Sequence, residues 1–435
     1  MKYILFNLIL IVFLYGNSID NTILGFNTTN NMNMQVKNFD ETSSSIFDDF
    51  SGEVALHTLY TNDTHQFDSL KGSIFLDYTK NISQNLQLKI NGKYYYDAVY
   101  DIDSNRFSQE EKGQLKEEFE LNEAYISWKL TQDLDILDIK LGRQIVVWGD
   151  SDTIRITDVI NPLDNRRPGL VDMEYLRLPV NMLKIDYYIN NWNIVPILIL
   201  EQRFSKLPPF GSPFYPMDFK VTDEKYNDVT YGFKIGKDFH NMSINFYTAR
   251  IHDDEGYTTM FPTPVINHEK ITMIGSSLNF TIGSWLLKNE NAHLKDLRYT
   301  SVNEKTFNRL DILLGLEYHG YQNMTISYDT ALRSIENYDN RLLQEINPLE
   351  KNTYQHAFRI SKNFLNETLF LNYLCSINGN SFFQKSGGLQ RVWSEYKIND
   401  NVGVEFGIAD YIGGSNFYNK TKEQDAIFAN LSYNF

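Results

Sequence analysis

Charged side chains of both signs crowd one stretch of the sequence, between residues 143 and 184. Charges that face each other in a narrow passage set up an electric field, which selects solutes by the sign of their charge. The stretch therefore predicts a pore constriction built from Arg143, Asp150, Asp152, Arg155, Asp164, Arg166, Arg167, Arg177 and Lys184. The same pattern fits equally well a salt-bridged loop that packs against a wall and selects nothing.

The polypeptide around these charges carries strong turn signals. Asp150 and Ser151 can cap a short helix, because their side chains accept hydrogen bonds from the free N–H groups at a helix start. Asn161 and Pro162 then end that helix. We expect a loop of mixed charge that folds into a lumen, with a short helix near residues 150–170.

Strand patterns flank this stretch on both sides. Apolar and polar residues alternate in many segments, for example at residues 86–96 and 310–318, and successive side chains of a strand point to opposite faces. If such strands form a barrel in a membrane, one face of each strand contacts lipid. Placing an unpaired Lys or Arg on that face at the bilayer midplane destabilises the barrel by about 2–4 kcal/mol, and Asp or Glu destabilises it less. The charged parity, which includes Lys89, Lys184 and Asp311, is therefore predicted to face a lumen, and the apolar parity to face lipid.

The end of the chain follows the same alternation. Leu431, Tyr433 and Phe435 share one parity, and the residues between them are polar. An apolar row that ends in an aromatic residue is typical of the closing strand of an outer-membrane barrel. We expect this strand to pair with the one that begins near Gly52 and to be read by the barrel-insertion machinery.

The connections between predicted strands alternate between short and long, as do the periplasmic turns and outer loops of outer-membrane barrels. Long polar connections are predicted at 97–117, 148–178, 203–227, 252–270, 289–307, 333–353, 375–387 and 413–426. The fold is predicted to be an all-β, antiparallel transmembrane barrel of about 18 strands over residues 51–435, with 16 as the alternative count. Bulges are expected at Asn122-Glu123, where the parity slips, and at Pro196, which lacks an N–H group.

The other end of the chain predicts export. Residues 1–18 have the pattern of a signal peptide: a positive Lys2, a mostly apolar run over residues 3–15, and small or polar residues at 16–18 before a cleavage site. The run is too short for a transmembrane helix, which needs roughly 20 residues. Residues 19–50 are predicted to form a periplasmic extension, and the mature chain to reside in the outer membrane of a Gram-negative bacterium.

Composition argues against several functions. Lys and Arg total 40 against 55 Asp and Glu, a net charge of -15, whereas nucleic-acid binding needs a basic face. Cys375 is the only cysteine, so an intrachain disulfide and a Cys-rich metal or redox site are excluded. His252, Asp253 and Asp254 fit a solvated loop better than a metal site. We expect no cofactor and no enzymatic activity; a hydrolase at the barrel rim is the least favoured alternative.

Three motifs lie close together in the charged stretch: GRQIVVWG at 142–149, INPLD at 160–164 and LPVNML at 178–183. Together with an Arg-Pro step at 167–168, they resemble the family of Gram-negative outer-membrane proteins catalogued as domain of unknown function 1302. The resemblance implies a barrel and a transport role. It implies no substrate and no catalytic residue.

The expected function is that of a porin-like channel for the passive passage or export of small molecules, including hydrophobic ones. The alternative is a plugged structural or surface-interaction barrel, whose lumen is filled by a loop and by inner-face residues such as Val195, Ile197 and Ile199. Expected partners are outer-membrane lipids, lipopolysaccharide, the insertion machinery and a small permeant of unknown identity.

Overall fold

The computed structural model of the chain describes residues 49–132, 135–415 and 417–435. The predicted signal peptide, and the predicted extension up to residue 48, lie outside the described residues. Most of the described chain forms eighteen antiparallel strands. In chain order they are β1 (Phe50–Thr61), β2 (Gln66–Asn81), β3 (Leu86–Asp97), β4 (Glu117–Gln132), β5 (Asp135–Gln144), β6 (Val180–Ile189), β7 (Trp192–Ile199), β8 (Thr230–Asp238), β9 (Met242–His252), β10 (Lys270–Ile282), β11 (Trp285–Tyr299), β12 (Val302–Tyr321), β13 (Met324–Ile335), β14 (Asn352–Phe364), β15 (Leu369–Gly379), β16 (Gly387–Lys397), β17 (Val402–Ile412) and β18 (Ala426–Asn434).

Each strand pairs with its neighbours in the sequence, and β18 pairs with β1, which closes the sheet into a barrel. At the seam, the Phe435 amide donates to the Gly52 carbonyl over 3.0 Å, and the Gly52 amide donates to the Phe435 carbonyl over 2.9 Å. A Cβ atom on Gly52 would lie 2.6 Å from the Phe435 ring, so this close approach requires glycine. The predicted count of 18 strands and the predicted closing strand are both confirmed.

The outer wall of the barrel is apolar. Leu56 and Leu431 are cross-strand partners at the seam, and both are exposed. One group of exposed aromatic side chains lies near the end of the barrel where the chain closes and the turns are short: Phe50, Trp128, Trp192, Phe239, Trp285, Tyr321, Tyr396, Tyr433 and Phe435. Such a ring of aromatic residues is typical of the membrane interface in outer-membrane barrels.

Connections at the short-turn end are tight, and those at the opposite, loop end are mostly long. The predicted long connection at 289–307 is wrong: β11 and β12 continue through it and are joined by a turn at 300–301. Polar residues occupy both faces of this hairpin; inward Glu290 binds a loop, and outward Asn289 and Asn291 hydrogen-bond each other. Polarity on both faces led the sequence pattern to be interpreted as a loop.

Shorter elements lie in the loops. The helical turns are Val99–Ile102, Ser104–Arg106, Gln109–Leu115, Met173–Leu176, Asn340–Gln344 and Phe417–Thr421, and a small second sheet joins Thr222–Asp223, Tyr257–Thr259 and Val265–Asn267. Among the described residues, no helix is long and apolar enough to cross a membrane.

One of the two predicted bulges is present. The β3–β4 register slips where Ile90 faces Ala124 but Gly92 faces Leu121, which places the extra residue at 122–123 as predicted. The predicted bulge at Pro196 is wrong, because β7 keeps one register with β8 throughout. The missing N–H group of Pro196 is accommodated by a local gap in the β6–β7 ladder instead.

Candidate functional site

The chain between β5 and β6, residues 145–179, folds into the barrel interior; we call it the lumen loop. Its first part, residues 145–163, is the anchored half. Here Trp148, Ile154 and Ile156 are buried in one apolar cluster with inner-wall residues, including Val195, Ile197, Ile199, Tyr247 and Met273. The apolar inner face of β7, which is unusual for a water-filled lumen, is thereby explained as a docking surface for the loop.

Trp148 shows how close this packing is. Its ring lies 5.2 Å from the ring of Tyr247. A Cβ atom on Gly232 of β8 would lie 2.8 Å from the Trp148 ring. The wall therefore has a glycine where the indole needs room.

A buried carboxylate fixes the backbone of the anchored half. Glu290 of β11, which is 1% exposed, accepts hydrogen bonds from the amides of Asp150 (2.7 Å), Ser151 (2.9 Å) and Thr157 (3.2 Å). It also accepts one from the Thr157 hydroxyl at 2.9 Å. These amides therefore bind the wall, and the predicted helix near 150–170 does not form. The α-helical turn of the lumen loop lies later, at Met173–Leu176.

Asn161 ties the two ends of the lumen loop together. Its side-chain oxygen accepts from the Val146 amide at 2.8 Å, and its side-chain amide donates to the Leu178 carbonyl at 2.8 Å. The nearby Asp158 accepts a hydrogen bond from Arg177 at 2.9 Å and lies 3.3 Å from Arg155. The Asn-Pro turn and these ion pairs hold the loop as a closed unit.

The second part of the lumen loop, residues 164–179, is the cavity half, and it meets the opposite wall through charges. Arg166 donates to Asp164 at 2.8 Å and to Glu118 of β4 at 2.6 Å. Burial raises the pKa of Asp164, but the hydrogen bonds and charge of Arg166 outweigh that effect, and the pKa lies below its usual range. Arg167 donates to the Asp68 carbonyl and the Tyr100 hydroxyl. These contacts position the cavity half against the β2–β4 side.

A third set of contacts reaches strands β14–β17. Asp172 accepts from Arg359 at 2.9 Å and from Arg391. The Tyr411 hydroxyl donates to the Pro168 carbonyl at 2.6 Å. The lumen loop therefore crosses the barrel interior and touches its wall on several sides.

A cavity of about 340 Å³ lies between the cavity half and strands β1–β4; we call it the basic cavity. Its wall carries His57, Lys71 and Lys93, and the loop contributes Arg166 and Arg167. A second cavity of about 310 Å³ lies beside strands β9–β13. Two cavities thus flank the lumen loop.

Charges in the second cavity are largely paired. Arg309 lies 2.9 Å from Asp311, and Arg333 lies 3.9 Å from the same carboxylate. At its edge, burial, together with the charge of Glu255, raises the pKa of Asp253 to about 7. Among the described residues, no group of three or more His, Cys, Asp or Glu side chains is placed to hold a metal ion.

The nine predicted constriction residues do not lie in one place. Asp164, Arg166, Arg167 and Arg177 line the basic cavity, and Arg155 lines the second one. Asp150 and Asp152 belong to the anchored half. Lys184 faces inward from β6 and pairs with Asp186 at 2.7 Å. Arg143 shares its parity with the exposed Leu141 and lines neither cavity; it pairs with Glu201 at 2.6 Å and, at 3.6 Å, with Glu120 of the basic cavity.

Sequence reasoning did not single out Lys71, Lys93 or Glu290. The alternation did place Lys93 on the lumen parity, and Lys71 lies between Ser69 and Ser73 on the inward parity of β2. Strand parity alone places many residues on the inner face, so it does not distinguish these two lysines from the others. Glu290 was hidden because its strand was interpreted as a loop.

Comparison with known proteins agrees with this geometry. The model of the family described as protein of unknown function (DUF1302) matches residues 61–435, so the chain belongs to that family. No curated protein matches the sequence.

Solved outer-membrane barrels share the fold at low sequence identity. Pseudomonas aeruginosa OpdK with vanillate is 11% identical, with a TM-score of 0.52 over 90% of this chain and 100% of that chain. Pseudomonas aeruginosa OccK2 (OpdF) in complex with glucuronate is 12% identical, with a TM-score of 0.52 over 89% and 97%. Acinetobacter baumannii OccAB3 is 11% identical, with a TM-score of 0.50 over 89% and 99%. The architecture of the chain is therefore the barrel fold of these outer-membrane proteins.

Proposed function

We propose that this member of the DUF1302 family is a channel through which small solutes pass passively across the outer membrane of a Gram-negative bacterium. The passage runs along strands β1–β4, beside the cavity half of the lumen loop. The observation that carries the proposal is the asymmetry of the loop: the anchored half is packed against the wall, and the cavity half leaves about 340 Å³ open.

Barrel size supports a passage. A barrel of 18 strands is wider than one whose interior strand side chains alone can fill. The anchored half fills the β6–β11 side with apolar contacts. On the other side, charged and hydroxyl side chains line the remaining space, as suits a hydrated route. The proposal involves no catalytic step.

The proposal also implies that the outer wall of the barrel contacts the membrane. Lipid and lipopolysaccharide would cover its apolar belt, with the short turns in the periplasm and the long loops outside. The closing strand, with Leu431, Tyr433 and Phe435, would be the segment that the barrel-insertion machinery recognises.

The test is the conductance of the refolded chain in planar bilayers, with blocking of an introduced cysteine. Cys375 is first replaced by Ser, and Asn122, which lines the basic cavity, is replaced by Cys. We expect a bulky methanethiosulfonate reagent to reduce the current by at least half. The matched control is Phe383→Cys, at a side chain 95% exposed in the connection 380–386, where the same reagent should leave the current unchanged.

A plugged barrel is the second candidate, favoured by one observation. Val195, Ile197 and Ile199 are all buried under the lumen loop, as a plug requires. If the wild type gives no current in bilayers and no solute flux in liposomes, the channel proposal fails and the plugged barrel stands.

A further inference from the structure

We propose that the basic cavity binds small organic monocarboxylates, with the carboxylate on Lys71 or, further along the passage, on Lys93, and the apolar body against Leu59, Leu170 and Phe428. This inference rests on the proposed channel function and names the class of solute that the passage favours. It follows from the charges of the cavity wall, from its apolar side and from its size.

The first step is an excess of positive charge. Lys71 and Lys93 point inward from neighbouring strands, and His57 is the direct cross-strand partner of Lys71. Among the described residues, neither lysine forms an ion pair with a carboxylate. The ammonium group of Lys71 lies over the face of the Tyr95 ring, 5.1 Å from its centre. Lysines that share a wall and form no ion pair keep a positive potential there, and an anion is attracted to it.

The acids that line this cavity are mostly paired with other cations: Glu118 and Asp164 with Arg166, and Glu120 with Arg203 and Lys206. Asp97 lies 3.6 Å from Arg167. Its carboxylate also accepts hydrogen bonds from the Ser69 hydroxyl at 2.5 Å and the Leu70 amide at 2.8 Å. Arg167 and these donors therefore already engage Asp97. Glu53 shares the register of Lys93, since both pair with Phe75, but the two lysines together still exceed its charge, so an excess of positive charge remains.

His57 is part of the wall rather than of the solute site. One ring nitrogen lies 3.0 Å from the Ser73 hydroxyl, and the other lies 3.1 Å from the Asn430 side-chain oxygen. Both nitrogens are therefore engaged, and the lysines provide the contacts to the anion. By the pairing of Lys71 with Asp97 and of Phe75 with Lys93, the two lysines are offset by four residues, about 13 Å of strand. A carboxylate that moves along the passage would therefore contact Lys71 and Lys93 one after the other.

The second step is the apolar side of the same cavity. Leu59 and Phe428 belong to one buried cluster, against which Leu170 of the lumen loop packs. All three line the basic cavity. An inorganic anion would leave this surface without a partner, whereas an organic acid covers it with its hydrocarbon part. The volume of about 340 Å³ is at the small end of ligand sites, which restricts the solute to a small acid.

The experiment uses the full chain in planar bilayers, with benzoate as the organic acid. Under a KCl gradient, we expect the reversal potential to show preference for the anion. Benzoate should reduce the KCl current at concentrations at least tenfold lower than acetate, inorganic phosphate or benzyl alcohol. Lys71→Gln with Lys93→Gln should abolish the anion preference and raise the half-blocking benzoate concentration at least tenfold.

Two control variants separate charge from position. Lys71→Arg with Lys93→Arg keeps the charge and should keep both the anion preference and the benzoate effect. Lys385→Gln removes one positive charge from the exposed connection 380–386 and should behave like the wild type.

The outcomes separate this inference from the channel proposal. A wild type that conducts without anion preference, or that phosphate or benzyl alcohol blocks as strongly as benzoate does, overturns the inference and leaves the channel standing. If no current is seen, the channel proposal fails. Titration calorimetry of benzoate into the detergent-folded chain then decides the inference: binding that depends on the two lysines supports it, and absence of binding overturns it.

Discussion

The two halves of the lumen loop meet their walls by different chemistry. The anchored half buries Trp148 and Ile154 against apolar strands and gives its backbone amides to Glu290. The cavity half is held by ion pairs such as Arg166 with Glu118, and open space remains beside it. Close apolar packing fixes a segment and excludes water, whereas charged contacts hold a segment at a distance and leave a hydrated gap.

The barrel wall shows the same division. Inner-face residues of β7, such as Val195 and Ile197, are apolar and buried. On β2 and β3 the corresponding inner face carries Ser73, Lys71 and Lys93. Loop and wall therefore match each other on both sides, and the position of the basic cavity is determined by which wall the loop can bury.

Removal of the Trp148 side chain tests the anchored half and should have the largest effect. Trp148→Ala leaves a cavity against Tyr247 and Gly232 and should lower the free energy of unfolding by about 3–5 kcal/mol. With its anchor lost, the lumen loop should move and the bilayer conductance should rise. Urea unfolding and single-channel recording measure the two effects.

The control for this variant is Trp285→Ala, which removes an exposed indole from the outer wall. Its conductance should equal that of the wild type. If Trp148→Ala leaves both stability and conductance unchanged, the anchored half does not hold the loop.

The polar anchor should have a somewhat smaller effect. Glu290→Gln keeps the shape of the side chain but turns one acceptor oxygen into a donor. In one orientation the Thr157 amide loses its acceptor, and in the other the amides of Asp150 and Ser151 do. Buried donors without acceptors cost about 1–3 kcal/mol each, so we expect a loss of about 3 kcal/mol in urea unfolding, together with noisier single-channel current. Glu304→Gln, at the exposed tip of the β11–β12 hairpin, should change neither quantity.

Sequence patterns predicted the barrel better than the site. Alternation and turn signals are local, so they gave the 18 strands, the closing strand at Phe435 and the bulge at 122–123. The site depends on contacts across the lumen, such as Glu290 with the Thr157 amide, 133 residues apart in the sequence. No local pattern carries such a contact. For the same reason, the sequence predicted a helix cap at Asp150, whereas the Asp150 amide instead donates to Glu290 of a distant strand.

In the cavity half, Arg166→Gln should reduce stability less and alter permeation more. The variant loses charged hydrogen bonds to Asp164 and Glu118, but water in the cavity can replace part of them. We expect a loss of about 2 kcal/mol and a shift of the reversal potential toward cations. A variant that destabilises as strongly as Trp148→Ala would show that the two halves are held alike.

The smallest expected effect concerns pH, at the second cavity. Burial and the charge of Glu255 raise the pKa of Asp253 to about 7, above the ordinary value of about 3.9 in an unfolded chain. Between these values the folded chain binds the proton more tightly than the unfolded chain, so stability is greatest at low pH and is lost as the pH rises through 7. From pH 5.5 to 8 the wild type should lose about 1 kcal/mol from this group, since the carboxyl is partly hydrated.

Asp253→Asn should flatten that slope, because the amide does not titrate. Asp400→Asn, in an exposed turn at the opposite end of the barrel, removes the same charge and should keep the slope. Urea unfolding of the three proteins at pH 5.5 and pH 8 provides the measurement. Equal slopes in the wild type and Asp253→Asn would mean that this carboxyl is as hydrated in the folded barrel as in the unfolded chain.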